Sequence, residues 1–468
     1  MTTGGVTPGG SNGWSQLLVE GRLARFALIC LGIWLNAADS LMTATIMPSV
    51  AAEIGGYAYF AWTIAGFILG AILAGATAGQ VSLRMGLRSG MVLAATIYVA
   101  GCVASGVAAN IEVFLIGRLL QGVGAGWIVG LCYVAIGTVF PEVLWPRILA
   151  SISGVWGGAT LLSPLIGGLF AEAGHWRWAF WFFAAQGVAF AAASYFLLSP
   201  VHLRDREGRL PLVQLAVLTI AIVSIAMAGL LSDVVLAVLL GCAGLGALVL
   251  FMRFDSSSKS PLLPRASRNL LSAAGSGFAM IFAMATSAIA FSVYGAAIMQ
   301  AVYGLSPLKA GYILAIESMA WTLAALCVAG LGVRWEGPFI KLGSVSVLLA
   351  SILLALTLGT GPLVAVCVAA ALLGGGFGFA WGFITRRIIV SVPGDERALA
   401  SAAVPTMQMI GYATGSALAG VMANFLGFAD GIDARTAEAV SFWLFAGFVP
   451  VALLGVLASW RVASHEFD

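Results

Sequence analysis

Apolar runs long enough to cross a bilayer recur from one end of the sequence to the other, separated by short polar connectors. Few folds survive that pattern. In hydrocarbon a backbone N–H or C=O has no water to pair with, so a spanning run of this length closes its hydrogen bonds within itself, as a helix. Charged residues and Pro/Gly punctuation divide the chain into spans at roughly 25 to 50, 58 to 80, 89 to 109, 112 to 140, 146 to 172, 176 to 198, 211 to 231 and 233 to 252. After a polar connection, further spans fall at roughly 270 to 303, 308 to 332, 339 to 360, 362 to 391, 396 to 427 and 437 to 460. The sequence therefore predicts an all-α polytopic membrane protein with 14 transmembrane helices. A hydrophobic share of 61% against 9% charged agrees with this and not with a water-soluble domain. The connectors are too short to hold a catalytic domain, so no enzyme is expected.

Residues 1–24 are rich in Gly and Ser and lack a basic start leading into a short apolar core. They are expected to form a cytoplasmic tail, as are residues 462–468. An even number of spans puts both termini on one side, and the basic residues indicate which. With the N-terminus inside, eighteen Lys and Arg residues fall on inner segments and only Arg177, Lys309 and Arg435 on outer ones. One basic residue, Arg118, is left inside the fourth span. All six cysteines sit in apolar runs without a CxxC pair, which argues against a disulfide framework or a zinc site. A net charge of +3 is too weak to suggest nucleic acid.

The chain also repeats itself. The segment 79-GQVSLRMG-86 has a counterpart in 330-GLGVRWEG-337 at an offset of 251. At an offset of 252, 122-GVGAG-126 matches 374-GGGFG-378 and 159-ATLLSPLIGG-168 matches 411-GYATGSALAG-420. Each match alone is weak, because membrane helices use glycine for close packing, but the shared offset argues for two homologous halves. The expected organisation is a six-helix bundle over 25–200, an inserted pair of helices with charged linkers over 201–268, and a second six-helix bundle over 269–461. A parallel repeat of this kind places a binding site near the midplane between the halves.

These features resemble the major facilitator superfamily, and the inserted central pair resembles its fourteen-helix drug:proton antiporter branch. In the motif between spans 2 and 3, 79-GQVSLRMGLR-88, Gly79, Arg84, Gly86 and Arg88 match the family, while Leu83 stands where the family has an aspartate. The span 4 motif is matched closely by 118-RLLQGVGA-125, and the span 5 antiporter motif keeps Pro164, Gly167 and Gly168. In span 1, Asp39 and Pro48 hold the branch's spacing, with Leu41 and Ala44 replacing its polar residues. The resemblance implies a proton-coupled exporter of small amphipathic compounds, a drug or multidrug efflux protein, that works by alternating access. It also implies a bacterial inner membrane as the location.

Three ionisable side chains lie deep within spans: Asp39, Arg118 and Glu317. A charge at a helix centre costs about 2.5 to 3.5 kcal/mol on insertion scales, which the surrounding apolar residues offset, yet each such charge still needs a partner. Asp39 and Arg118 are either a buried ion pair that fixes packing or the proton-coupling pair. Low dielectric favours the neutral form of a carboxylic acid and a nearby guanidinium favours the ionised one, so approach and separation would unload and load a proton. Asn36 and Gln121, each three residues from a charge on its own helix, are expected to complete the polar face. Glu317 is either a neutral acid hydrogen-bonded across a helix interface, a second proton carrier, or the anionic contact for a cationic substrate.

Tyr133, Trp156, Tyr294, Trp321 and Trp381 are candidate stacking residues for a flat or cationic substrate, with packing or interface anchoring as the alternative for each. The stretch 175-HWRWAFWF-182 is expected to anchor at the outer interface. No phosphate-binding loop, metal-ligand spacing or intramembrane protease context is present, so no cofactor is expected. The expected partners are a small-molecule substrate, protons and the lipid bilayer, with the chain acting as a monomer. A dedicated exporter of one metabolite, a proton-independent facilitator, or a receptor or scaffold that does not transport remain as alternatives.

Overall fold

The computed structural model describes residues 21–141, 144–199, 211–231, 233–255, 258 and 261–464. The charged linker around Arg204, Arg206 and Arg209, Lys259 and most of both predicted tails lie outside these residues. Fourteen α-helices and no strand are present among the described residues: α1 (Arg22–Ile54), α2 (Trp62–Gly75), α3 (Ala78–Gly106), α4 (Ile111–Val139), α5 (Trp145–Glu172), α6 (Arg177–Leu197), α7 (Leu212–Ala228), α8 (Val234–Asp255), α9 (Ala273–Tyr303), α10 (Pro307–Val328), α11 (Glu336–Thr357), α12 (Leu363–Val390), α13 (Arg397–Phe425) and α14 (Ala434–Ser464). Twelve spans are long and apolar enough to cross a membrane. The remaining two helices are α7, which is shorter at 17 residues, and α13, which carries Thr406, Gln408, Thr414 and Ser416 among its apolar residues.

The packing follows the repeat seen in the sequence. In the first half α4 packs on α2 and α3, α6 on α3, and α5 on α1. In the second half α12 packs on α10 and α11, α14 on α11, and α13 on α9, which is the same set of neighbours shifted by eight helices. Small residues explain how the helices come so close. Gly122 and Gly126 of α4 receive the backbone carbonyls of Phe67 and Ala71 from α2, and Gly374 and Gly378 of α12 receive those of Glu317 and Trp321 from α10. A Cβ at any of the four would overlap a main-chain atom. These contacts also set the structural register, in which Glu317 takes the place of Phe67.

The halves meet through α5 with α10 and α2 with α13. A Cβ at Gly168 would come within 2.6 Å of the Leu308 Cα, and Gly311 faces Thr45 and Pro164, so the span 5 motif is what lets α5 approach α10 and α1. On the other seam Ser416 donates to Ala61 O at 3.0 Å. The Asn424 amide donates to Ala58 O at 2.7 Å and to Gly229 O at 3.0 Å, joining α13 to the α1–α2 turn and to the end of α7. Besides pairing with α8, helix α7 packs on α13 and, less extensively, on α2. The inserted pair is thus seated over one of the two seams.

Two expectations change. The 79–88 motif is not a loop between spans: α2 ends at Gly75 and α3 begins at Ala78, with the helix broken at Gly86, whose φ of 77° favours glycine. The outer aromatic stretch is only partly an interface anchor. Trp178 is 60% exposed, but Trp176 is buried against Phe114 and Phe180 and donates to Glu53 Oε2 at 2.7 Å. The indole N–H has a carboxylate partner here, which stabilises burial over a place at the lipid surface.

Candidate functional site

Asp39 and Arg118 meet. The Arg118 NH1 group lies 2.8 Å from Asp39 Oδ1, with both side chains 1% exposed or less. Arg118 also donates from NH1 to Gln121 Oε1 at 3.1 Å and from Nε to Thr63 O at 3.2 Å, and its guanidinium lies 4.5 Å from the Phe67 ring centroid. Gln121 closes the triangle by donating from Nε2 to Asp39 Oδ2 at 3.0 Å. A buried ion pair repays its desolvation only when the remaining lone pairs and protons are matched, and here the partners surround both groups.

Two further donors were not legible as site residues. The Tyr98 hydroxyl, from α3, donates to Asp39 Oδ2 at 3.1 Å, and Thr43 Oγ1 donates to Asp39 Oδ1 at 3.3 Å. Tyr98 is held in place by glycines: the α4 residue Gly124 lies against its backbone and Gly187 of α6 against its ring. Its one available signal was position, since a tyrosine at the middle of a span is not where an aromatic belt puts it. Thr43 gives Asp39 a donor from its own helix although Leu41 and Ala44 replace the branch's polar residues there. Side chains tilt toward the helix N-terminus, which brings residue 43 back onto residue 39. The same tilt carries Asn36 away, and among the described residues this buried side chain makes no hydrogen bond to the cluster.

Glu317 sits apart from that network. It is partly buried and accepts a hydrogen bond from Ser292 of α9 at 3.3 Å. On α13, the Tyr412 hydroxyl accepts from Gln408 Nε2 at 3.1 Å. One turn along α10, Trp321 stacks on Phe377 at 4.7 Å and lies 5.7 Å from Trp381. An acid beside a cluster of aromatic rings is suited to an organic cation.

The other candidates are scattered. Tyr294 is fully buried, stacked on Phe60 of the first half at 5.5 Å and edge-on to Phe428 at 4.9 Å, so it belongs to a seal between the halves rather than to an open wall. Tyr133 and Trp156 are 51% and 43% exposed, and neither ring contacts the Asp39 or Glu317 groups among the described residues. In the motif at 79–88, Gly79 has open space around it, Arg84 is exposed, and Arg88 lies 3.6 Å over the Tyr195 ring. In the second half an acid that the sequence alone did not single out stands two residues beyond Arg334, the position that the repeat pairs with Leu83. Buried Glu336 accepts from Arg387 Nε at 3.1 Å and pairs with Arg386, tying α11 to α12, and Arg387 donates on to Val462 O of α14.

The family model for the Major Facilitator Superfamily matches residues 29–403. The chain belongs to this superfamily. It is 28% identical to a probable multidrug-efflux transporter of Mycobacterium tuberculosis over 478 residues, covering 97% of both chains. Among solved structures its fold resembles a peptide transporter of the POT family, with a TM-score of 0.66 at 14% identity over 94% of this chain and 95% of that one. A D-xylose–proton symporter gives a TM-score of 0.64 at 16% identity over 95% and 97%. The protein is therefore a multi-pass membrane transporter, not an enzyme.

Proposed function

We propose that the protein is a proton-coupled antiporter that exports small amphipathic compounds, cations among them, from the cytoplasm across a bacterial inner membrane. It is taken to act as a monomer with both termini inside. The observation that carries this reading is the Asp39–Arg118–Gln121 triangle on α1 and α4: a titratable acid fully enclosed in the bilayer region beside the one cation of the first six spans' interior. The efflux relative, similar over almost the whole length of both chains, supports the direction and substrate class. Asp39 would carry the proton, and Glu317 with Trp321 and Trp381 would face the substrate. A proton-independent facilitator is the second reading, favoured by the loss of the acid at Leu83.

The test is ethidium transport by the purified protein in liposomes, with and without an imposed pH gradient. Gradient-dependent ethidium movement accompanied by opposite proton flux supports antiport. Equal rates with and without the gradient overturn it in favour of the facilitator. In the same assay Glu317→Gln is expected to reduce transport of cations about tenfold or more, as befits a desolvated charge contact of about 1.5 to 3 kcal/mol, and to spare neutral compounds. An equal loss for both classes would assign Glu317 to coupling instead.

The seam contacts Ser416 to Ala61, Asn424 to Ala58 and Phe60 to Tyr294 all lie at the end where α1 turns into α2 and α13 into α14. With the termini inside, that end is the outer one, so these contacts close the outer side of the seam. Asn424→Ala removes two hydrogen bonds of about 1 kcal/mol each, which is expected to raise outer-side thiol labelling of an Ala61→Cys protein about thirtyfold. Unchanged labelling would show that the seam opens without releasing Asn424.

A further inference from the structure

Asp39 meets four side-chain donors that differ in one chemical respect. Arg118 NH1 and the Gln121 amide nitrogen can only donate. The hydroxyls of Tyr98 and Thr43 can donate or accept, and each has a second acceptor within reach: Leu35 O lies 3.4 Å from the Tyr98 oxygen and Asp39 O lies 2.9 Å from Thr43 Oγ1. An ionised Asp39 accepts from all four. A protonated Asp39 carries an O–H of its own, in a site that is 0% exposed. A buried donor without an acceptor is strongly unfavourable, so the acid holds a proton far more readily when a neighbour turns round.

On Oδ2 the side-chain partners among the described residues are Gln121 and Tyr98. Turning Gln121 over would set its nitrogen against the donors it now satisfies, Arg118 NH1 at 3.1 Å and Ser105 Oγ at 3.1 Å. Tyr98 can turn at no such cost: its O–H swings to Leu35 O and its oxygen then faces Asp39. Thr43 can do the same for Oδ1 by donating to the Asp39 main-chain carbonyl. We propose that Tyr98, assisted by Thr43, is a hydroxyl switch that lets Asp39 take up and release its proton inside a closed site, through the Asp39–Tyr98–Leu35 contact. This rests on the reading of Asp39 as proton carrier. Tyr98 is a positioning residue: no bond within it breaks, the transported proton stays on Asp39, and the hydroxyl hydrogen rotates from the carboxylate to the Leu35 carbonyl.

The test needs no known substrate. Infrared difference spectra of the purified full-length protein in lipid, recorded as pH is lowered, show the C=O stretch of each carboxylic acid that becomes protonated. The band lost in Asp39→Asn belongs to Asp39. In Tyr98→Phe, which keeps the ring that Gly124 and Gly187 hold, that band is expected to move to higher frequency, because the acid's O–H loses its acceptor. Thr43→Val, nearly isosteric, is expected to give a smaller shift in the same direction, with Thr43→Ser restoring the wild-type position. Thr43→Val also carries the test if the tyrosine variant does not fold. An Asp39 band unmoved in both hydroxyl variants overturns the switch and leaves Asp39 as a proton carrier. If no acid band disappears in Asp39→Asn, Asp39 takes up no proton, and the proton-carrier reading falls together with the switch.

Discussion

Asp39→Asn protein in liposomes is expected to retain substrate exchange while its pH-gradient-driven transport falls to the level of protein-free vesicles. Asparagine preserves the volume of the side chain but cannot gain or lose a proton in the range a gradient imposes. Exchange of substrate for substrate needs the two halves to move with cargo bound, and it does not need the proton half-cycle. Separate measurement of exchange and of driven transport therefore tells loss of coupling from loss of structure. The substitution also leaves Arg118 buried without its counter-charge, with only neutral partners in Thr63 O, Gln121 Oε1, the Phe67 ring and the new amide oxygen. Some loss of thermal stability is expected with it, and the exchange rate is the control for that. Gradient-driven transport at the wild-type rate in Asp39→Asn would remove Asp39 from the mechanism.

The second large effect is on stability. Arg118→Ala removes the ion pair at 2.8 Å, the donor to Thr63 O and the contact with Phe67 in one step, leaving a carboxylate in a site closed to water. Breaking one side of a buried pair costs about 3 to 5 kcal/mol, most of it the penalty of the charge left behind. The signature is non-additivity. A double variant, Asp39→Asn with Arg118→Met, removes both charges at similar volume and is expected to unfold at a higher temperature than Arg118→Ala alone. Thermal unfolding in detergent checks this. If the double variant falls below the wild type by the sum of the losses of Asp39→Asn and Arg118→Met alone, the two charges contribute independently and the pair is not the unit described here.

The site was legible in the sequence to the extent that scarcity made it so. With a single cation inside the first six spans, Asp39 and Arg118 were each other's available partners wherever the helices ran, and Gln121 followed as a neighbour of Arg118 on its own helix. Asn36 met the same criterion of spacing and failed, because spacing along a helix does not carry the tilt of the side chain. Tyr98 and Thr43 failed to register for the opposite reason. Hydroxyls are common in membrane helices, and nothing local distinguishes one that reaches a carboxylate from one that returns to its own backbone, as Thr96 does to Val92 O at 2.8 Å. Glu336 was passed over because it lies near a helix end, where a charge needs no special explanation. Its pairing with two arginines on α12 exists only once α11 and α12 are packed.

Local physics in the sequence was enough to determine a fourteen-helix membrane fold with an internal repeat and one intramembrane ion pair. A spanning segment must satisfy its own backbone, so length and apolarity alone define it, and a charge in hydrocarbon announces itself by its cost. The tertiary structure decided which hydroxyls surround Asp39, that Glu317 stands apart from Arg118 in the register of Phe67, that Tyr294 seals a seam, and that α7 lies over one. Those outcomes depend on how closely helices approach and at what register. In this protein that is set by glycines such as Gly122, Gly124 and Gly374, whose role appears only when another backbone is lying against them.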